Sequence, residues 1–157
     1  MSKILVAYFS AQGTTAKVAK NLSDAIGADI FEIKPETEYT RKDLDWQDKT
    51  SRTTKEMNDK KFRPAMAKKI GSVDGYEKIF LGFPIWWYTA PRIINTFLES
   101  ADFTGKKIIL FATSGGSGLQ NVPADLEDSC PGATLVTGKM LNGNPSKDNL
   151  KSWAETF

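Results

Sequence analysis

Residues 3–15 read KILVAYFSAQGTT, and their reading decides the fold. Ile4, Leu5, Val6 and Ala7 form a nearly unbroken apolar run, as expected for a strand covered on both faces. Directly after it, Ser10, Gln12, Gly13, Thr14 and Thr15 place hydroxyls, an amide and a glycine in the turn that opens a helix. Such a turn aims unpaired backbone N–H groups at one point, and the positive end of the helix dipole favours an anion there. Ser, Thr and Gly also suit an ordinary helix start. The spacing matches neither GxxxxGK[ST] nor GxGxxG, so this stretch alone places a phosphate without identifying it.

Outward from that strand, the chain alternates in kind. The spacing of Val18, Leu22 and Ile26, with Ala19 and Ala25 beside them, predicts a helix over 14–26, and Gly27 suits its left-handed terminator. Residues 28–33 (ADIFEI) predict a second strand, at an edge, closed by Lys34-Pro35. Residues 78–83 (KIFLGF) and 107–112 (KIILFA) predict two interior strands, and 133–137 (ATLVT) a short fifth. Between them, Pro91 suits a first helical position, with Ile93, Ile94, Phe97 and Leu98 as that helix's buried face. A further helix is predicted over 119–129, with Leu119, Val122 and Leu126 inward. The last helix is capped by Ser146 and buries Leu150, Trp153 and Phe157. Residues 34–77 form a 44-residue crossover, too long for one helix with short loops. Within it, Thr53 and Glu56 have capping-box spacing, and Pro64 followed by Ala65, Met66, Ala67 and Ile70 suggests another short helix.

Composition narrows the chemistry. The 157 residues suit a single domain over 1–157, with 40% hydrophobic and 25% charged residues as in a soluble globular protein. The net charge of +2 is too mild to imply nucleic acid as a partner. Residues 41–69 carry ten Lys/Arg against five Asp/Glu, which is read as a solvated surface. With no histidine and one cysteine, Cys130, neither a Cys/His zinc site nor a Ser-His-Asp device can be assembled, so no metal and no catalytic residue are assigned. A chain that enters a strand at once, without an apolar run of membrane-spanning length, is expected to be cytoplasmic and free of membrane contact.

Strands alternating with helices predict a parallel sheet with helices on both faces. Ligands of such α/β folds sit beyond the carboxyl ends of the strands at the topological switch point, and an order of 2-1-3-4-5 makes three loops neighbours there. The first is the Ser10–Thr15 turn, uncharged but rich in donors. The second is Pro84-Ile85-Trp86-Trp87-Tyr88-Thr89-Ala90-Pro91, where flat rings suit stacking on another flat ring. The third is Thr113-Ser114-Gly115-Gly116-Ser117-Gly118, whose glycines let bare amides approach a ligand. Together the loops describe a ligand with a phosphate at one end and an aromatic ring system at the other.

At these residues the sequence resembles the flavodoxin family, in its short-chain type, over nearly the whole chain. The resemblance is carried by YFSAQGTT at 8–15, FPIWWYTAP at 83–91 and FATSGGSG at 111–118. It implies a flavodoxin-like three-layer sandwich with a five-stranded parallel sheet, and non-covalent FMN as cofactor. By position, Ser10, Gln12, Gly13, Thr14 and Thr15 would hold the FMN phosphate, and Pro84, Ile85, Trp86, Trp87 and Tyr88 would line the isoalloxazine. Trp86 or Tyr88 would be the stacking ring. Thr113, Ser114, Gly115, Gly116 and Gly118 would lie along the pyrimidine edge. The chain departs from the family's strongly acidic surface and has a longer crossover.

The function expected from this resemblance is electron transfer between redox partner proteins, at low potential, because the three loops hold no positive side chain. The alternative is an FMN-dependent NAD(P)H:quinone or flavin reductase. A third reading is a non-enzymatic signalling or binding module of the same architecture; Phe9-Ser10 and Phe83-Pro84, standing where a phosphoacceptor's acidic residues would be, argue against it.

Overall fold

The computed structural model describes residues 3–11, 13–45, 47–113, 119, 121–143 and 145–157. Five strands, β1 (Lys3–Tyr8), β2 (Asp29–Glu32), β3 (Tyr76–Pro84), β4 (Lys107–Thr113) and β5 (Thr134–Met140), form one sheet in the order β2-β1-β3-β4-β5. Every neighbouring pair is parallel. The helices are α1 (Thr14–Ile26), α2 (Arg52–Asn58), α3 (Arg92–Glu99), α4 (Val122–Leu126) and α5 (Lys147–Ala154), with a 3-10 turn at Glu127–Ser129 after α4. This is the α/β architecture that the alternation predicts.

The pleat sorts the core into two layers. Leu5, Ala7, Ile79, Leu81, Phe83, Ile108, Leu110 and Ala112 face one side, where they pack with Ile93, Ile94, Phe97 and Leu98 of α3 and Val122 and Leu126 of α4. Val6, Tyr8, Phe80, Ile109 and Phe111 face the other, against Val18, Ala19 and Leu22 of α1 and Leu150 and Ala154 of α5. Burial on both faces is why β1, β3 and β4 read as apolar runs without alternation. Two glycines are required by close approach. A Cβ on Gly82 would collide with the Phe111 ring, and one on Gly138 would collide with the Leu110 carbonyl.

Helix α1 has the predicted bounds and ends at Gly27, in the left-handed region at φ 66°. Ser146 caps α5 by accepting from Asn149 N–H (3.1 Å). Other elements differ from expectation. The fifth strand runs on to Met140, because Gly138 sits at a register shift beside Leu110/Phe111 that lets the pairing continue past it. Pro91 stands at the N-cap of α3, and Arg92 is its first residue. The predicted 119–129 helix is the shorter α4 and its 3-10 extension, with Leu119, Val122 and Leu126 buried as expected.

Among the described residues the crossover holds one short helix, α2. Its cap is Ser51, which accepts from Thr54 N–H, while the Thr53 hydroxyl donates to the Asp43 carbonyl (2.6 Å). The predicted helix after Pro64 is absent. That backbone instead pairs with residues 34–36, through Glu36 N–H to Ala65 O and Ala67 N–H to Lys34 O, both at 2.8 Å. Lys42, Lys49, Lys55, Lys60, Lys61, Lys68 and Lys69 are all exposed, in keeping with a solvated surface. Among the described residues no helix is long and apolar enough to cross a membrane.

Candidate functional site

Strand β1 lies between β2 and β3, so the chain turns opposite ways on its two sides and leaves a crevice beyond its carboxyl end. Phe9 N–H donates to the Gly82 carbonyl (3.0 Å), which fixes the start of the first loop against β3. Gly13 N–H then donates to Ser10 Oγ (3.0 Å), and Gly13 takes φ 92°, a conformation open to glycine at little cost. Helix α1 starts at the next residue, and no side chain among the described residues caps it. Its first amides therefore point out of the fold as donors, with the half-buried Ser10 and the exposed Thr14 beside them.

Thr15 is placed otherwise. Its side chain is buried, and its hydroxyl stands 2.9 Å from that of Thr113, the last residue of β4. One hydroxyl donates to the other, so one O–H of the pair stays unspent for a neighbour. The bond stitches the first loop to the end of β4. Gln12, Ser114, Gly115, Gly116 and Gly118 lie outside the described residues.

The second loop is a two-residue hairpin. Pro84 ends β3 opposite Thr113, and Ile85 N–H donates to the Thr113 carbonyl (3.0 Å). Trp86 and Thr89 then pair with each other, Trp86 N–H to Thr89 O at 2.9 Å and Thr89 N–H to Trp86 O at 3.1 Å. The two residues at the tip, Trp87 (φ 49°) and Tyr88 (φ 67°), are the only non-glycine residues with positive φ among those described. Two successive positive φ angles fit a primed type I turn, a conformation that Asn and Gly adopt with less strain. The turn, closed by the Trp86–Thr89 pair, leaves Tyr88 (71%) and Trp87 (37%) exposed at its tip. Thr89 Oγ1, in the same hairpin, is buried without a partner among the described residues.

Trp86 faces inward and is half-buried. Its ring stands edge-on to Phe9 (5.5 Å, 88°) and to Tyr39 (5.2 Å, 76°). Tyr39 comes from the crossover, which therefore forms a wall of the site. The Tyr39 hydroxyl donates to Glu56 Oε1 (2.6 Å), Arg52 Nε donates to Glu56 Oε2 (2.9 Å), and the Arg52 guanidinium lies 3.8 Å over the Tyr39 ring. Burial, reinforced by the hydrogen bond to Glu56, pushes the Tyr39 phenol far above its usual range, so it remains a donor. Tyr39, Arg52 and Glu56 carry no sequence signal as site residues, because Tyr39 lies 13 and 17 residues from Arg52 and Glu56 and the segment has no periodicity.

The charge around the crevice is low. Residues 10–16 and 84–91 contain no ionisable group except the Tyr88 phenol. Arg92, which follows at once, turns inward and donates to the Met57 carbonyl (2.8 Å) and the Glu56 carbonyl (3.4 Å). Arg52, over the Tyr39 ring, is paired with Glu56 and donates to the Thr37 carbonyl. The arrangement offers bare amides and hydroxyls for an anion at one end and exposed, uncharged rings at the other.

A doubly wound parallel sheet with these loops at its switch point defines a flavodoxin-like protein. The flavodoxin family model matches residues 3–157, and the chain belongs to that family. It is similar to a protein provisionally assigned as a flavoprotein from Bacteroides uniformis, with 51% identity, 98% of each chain covered and a TM-score of 0.92. A second such protein, from Bacteroides eggerthii, is 46% identical over 99% of this chain and 98% of its own, also at 0.92. A flavoprotein from Lactobacillus acidophilus, solved in complex with FMN, shares the fold at 18% identity, covering 98% of this chain and 99% of that one, with a TM-score of 0.73. No curated protein matches the chain at a significant level.

Proposed function

We propose that this protein binds FMN non-covalently at the carboxyl ends of β1, β3 and β4 and carries low-potential electrons between redox partner proteins. The observation that supports it most is the meeting of two unlike surfaces. The uncapped start of α1, tied to β4 by the Thr15–Thr113 bond, adjoins a hairpin held in strain with its rings outward. That pairing suits a ligand with an anionic end and a planar end. The FMN in the Lactobacillus acidophilus structure of the same fold supports the same cofactor.

In this reading the first amides of α1 with Ser10, Thr14 and the free O–H of the Thr15–Thr113 pair hold the phosphate. Pro84, Ile85 and Trp86 line the ring system, and Tyr88 stacks on it. Trp86 is half-buried against Phe9 and Tyr39, whereas Tyr88 is 71% exposed and the more accessible ring. FMN, when bound, supplies the one-electron and two-electron chemistry; the chain supplies position and electrostatics. No unpaired cation stands in the described loops to favour added negative charge, which supports a low potential for the second electron. Partner proteins, a cytoplasmic location and the absence of nucleic-acid or membrane contacts belong to the same proposal.

A reductase is the second reading, favoured by the crossover wall at Tyr39, since a carrier needs no such enclosure of its cofactor. Anaerobic reduction separates the two. A carrier loaded with FMN bleaches with dithionite and stays yellow with NADH or NADPH alone. Rapid bleaching by either pyridine nucleotide would overturn the carrier reading in favour of the reductase.

A further inference from the structure

We propose that Glu56 is a positioning residue for the FMN site, orienting Trp86 through Tyr39 from within the crossover; this rests on the FMN reading above. Glu56 lies at the centre of the contacts that join α2, α3 and the aromatic hairpin. Its side chain is only 3% exposed, yet both carboxylate oxygens are engaged, one by the Tyr39 hydroxyl and one by Arg52. Its main-chain carbonyl, with that of Met57, accepts from Arg92 in the first turn of α3. The hairpin leads into that same turn. A closed circuit results: Trp86, the hairpin, Arg92, Glu56, Tyr39 and back to Trp86.

The circuit bears on the ring rather than on the backbone of Trp86. The two hydrogen bonds with Thr89 already fix the Trp86 main chain. The tilt of its indole is left to side-chain packing, in which Phe9, Tyr39 and Trp86 form a triad with each ring against the other two (5.2–5.7 Å). Phe9 belongs to the rigid sheet end. Tyr39 sits in a segment without regular structure; Phe9 packs on its ring (5.7 Å), and three polar restraints fix its hydroxyl end and backbone. Glu56 holds its hydroxyl, Arg52 covers one face, and Arg52 Nη1 donates to the Thr37 carbonyl (2.7 Å), anchoring the backbone just before it. A buried carboxylate needs its partners, and here both serve to fix one ring. The crossover thus acts as a mount for the site, beyond merely covering the sheet.

The test compares Tyr39→Phe and Glu56→Gln with the unaltered protein, each loaded with FMN and each also free of it. Near-ultraviolet circular dichroism of the FMN-free proteins reports how firmly the indole is held. Visible circular dichroism and residual flavin fluorescence of the loaded proteins report what this does to the cofactor. Both variants are expected to weaken the near-ultraviolet tryptophan bands and to change flavin fluorescence at least twofold. In a Trp86→Phe background, Tyr39→Phe should then add no further change. Tyr39→Phe leaves the charge pair intact, so it decides the matter if Glu56→Gln does not fold. Variants that melt earlier but keep the tryptophan and flavin signals of the unaltered protein would show a purely structural role and overturn the proposal. An unaltered protein that takes up no FMN would instead overturn the FMN reading, while the near-ultraviolet comparison would still decide whether Glu56 orients Trp86.

Discussion

The hydroxyls of Thr15 and Thr113, 98 residues apart in sequence, stand 2.9 Å from each other in a buried position where the first turn of α1 meets the end of β4. The bond joins two of the three loops that form the site, so it ties stability to ligand binding. Replacing Thr113 with Val leaves the buried Thr15 hydroxyl unpaired and should cost about 1–3 kcal/mol in the FMN-free protein. Thr15→Val should cost a similar amount, and the double variant less than the sum, which a denaturant double-mutant cycle measures.

Thr14 gives the contrasting case. It is exposed and its side chain has no hydrogen-bond partner among the described residues, so Thr14→Ala should leave the melting temperature of the FMN-free protein unchanged. Its loss should weaken FMN binding about tenfold, equivalent to about 1.4 kcal/mol. Fluorescence titration against FMN checks this; equal affinity would remove Thr14 from the phosphate site.

Tyr88 carries backbone strain, so Tyr88→Gly should stabilise the FMN-free protein by about 1 kcal/mol while weakening FMN binding. A gain in stability with unchanged affinity would mean that another ring stacks on the flavin.

The Gly82–Phe111 contact predicts the opposite response. Gly82→Ala drives a methyl group into the buried Phe111 ring and should cost about 1–3 kcal/mol. Denaturant unfolding gives the value, and a cost near zero would contradict the close packing of β3 against β4 at this position.

Cys130 should be inert in the folded protein. It is buried, and burial with Glu127 nearby pushes its thiol up to about 11, two units above the ordinary value of 9.0. At pH 8 the thiol therefore stays protonated, and the thiolate is the nucleophile. Aromatic disulfide reagents should titrate it only after denaturation; fast reaction of the native protein would place it at the surface.

The parts of this fold most legible in the sequence are those with a period. Val18, Leu22 and Ile26 with Gly27 mark α1 to the residue, and the apolar runs at 4–7, 78–83 and 107–112 mark the interior strands. The reading failed where one residue had two local meanings. The pattern at 133–137 stops before Gly138, but Gly138 permits a bulge, so β5 continues to Met140. Glu56 reads as the end of a capping box, but its carboxylate turns to Tyr39, 17 residues earlier in the chain. In the site, the loops could be found from their composition. The left-handed turn at Trp87-Tyr88 could not, since neither residue type favours positive φ, and the crossover wall has no local pattern at all. Thr15 was legible as a site residue but not as half of a buried pair, because its partner lies on another strand.

The central claim is a site that holds a phosphate at the start of α1 and a flavin ring at the hairpin. Titrating the cofactor-free protein with FMN and with riboflavin, which lacks only the phosphate, tests it most directly. FMN should bind one per chain with its fluorescence quenched, and riboflavin at least a hundredfold more weakly, a difference of about 2.7 kcal/mol. Equal affinity for the two, or no quenching by either, would contradict it.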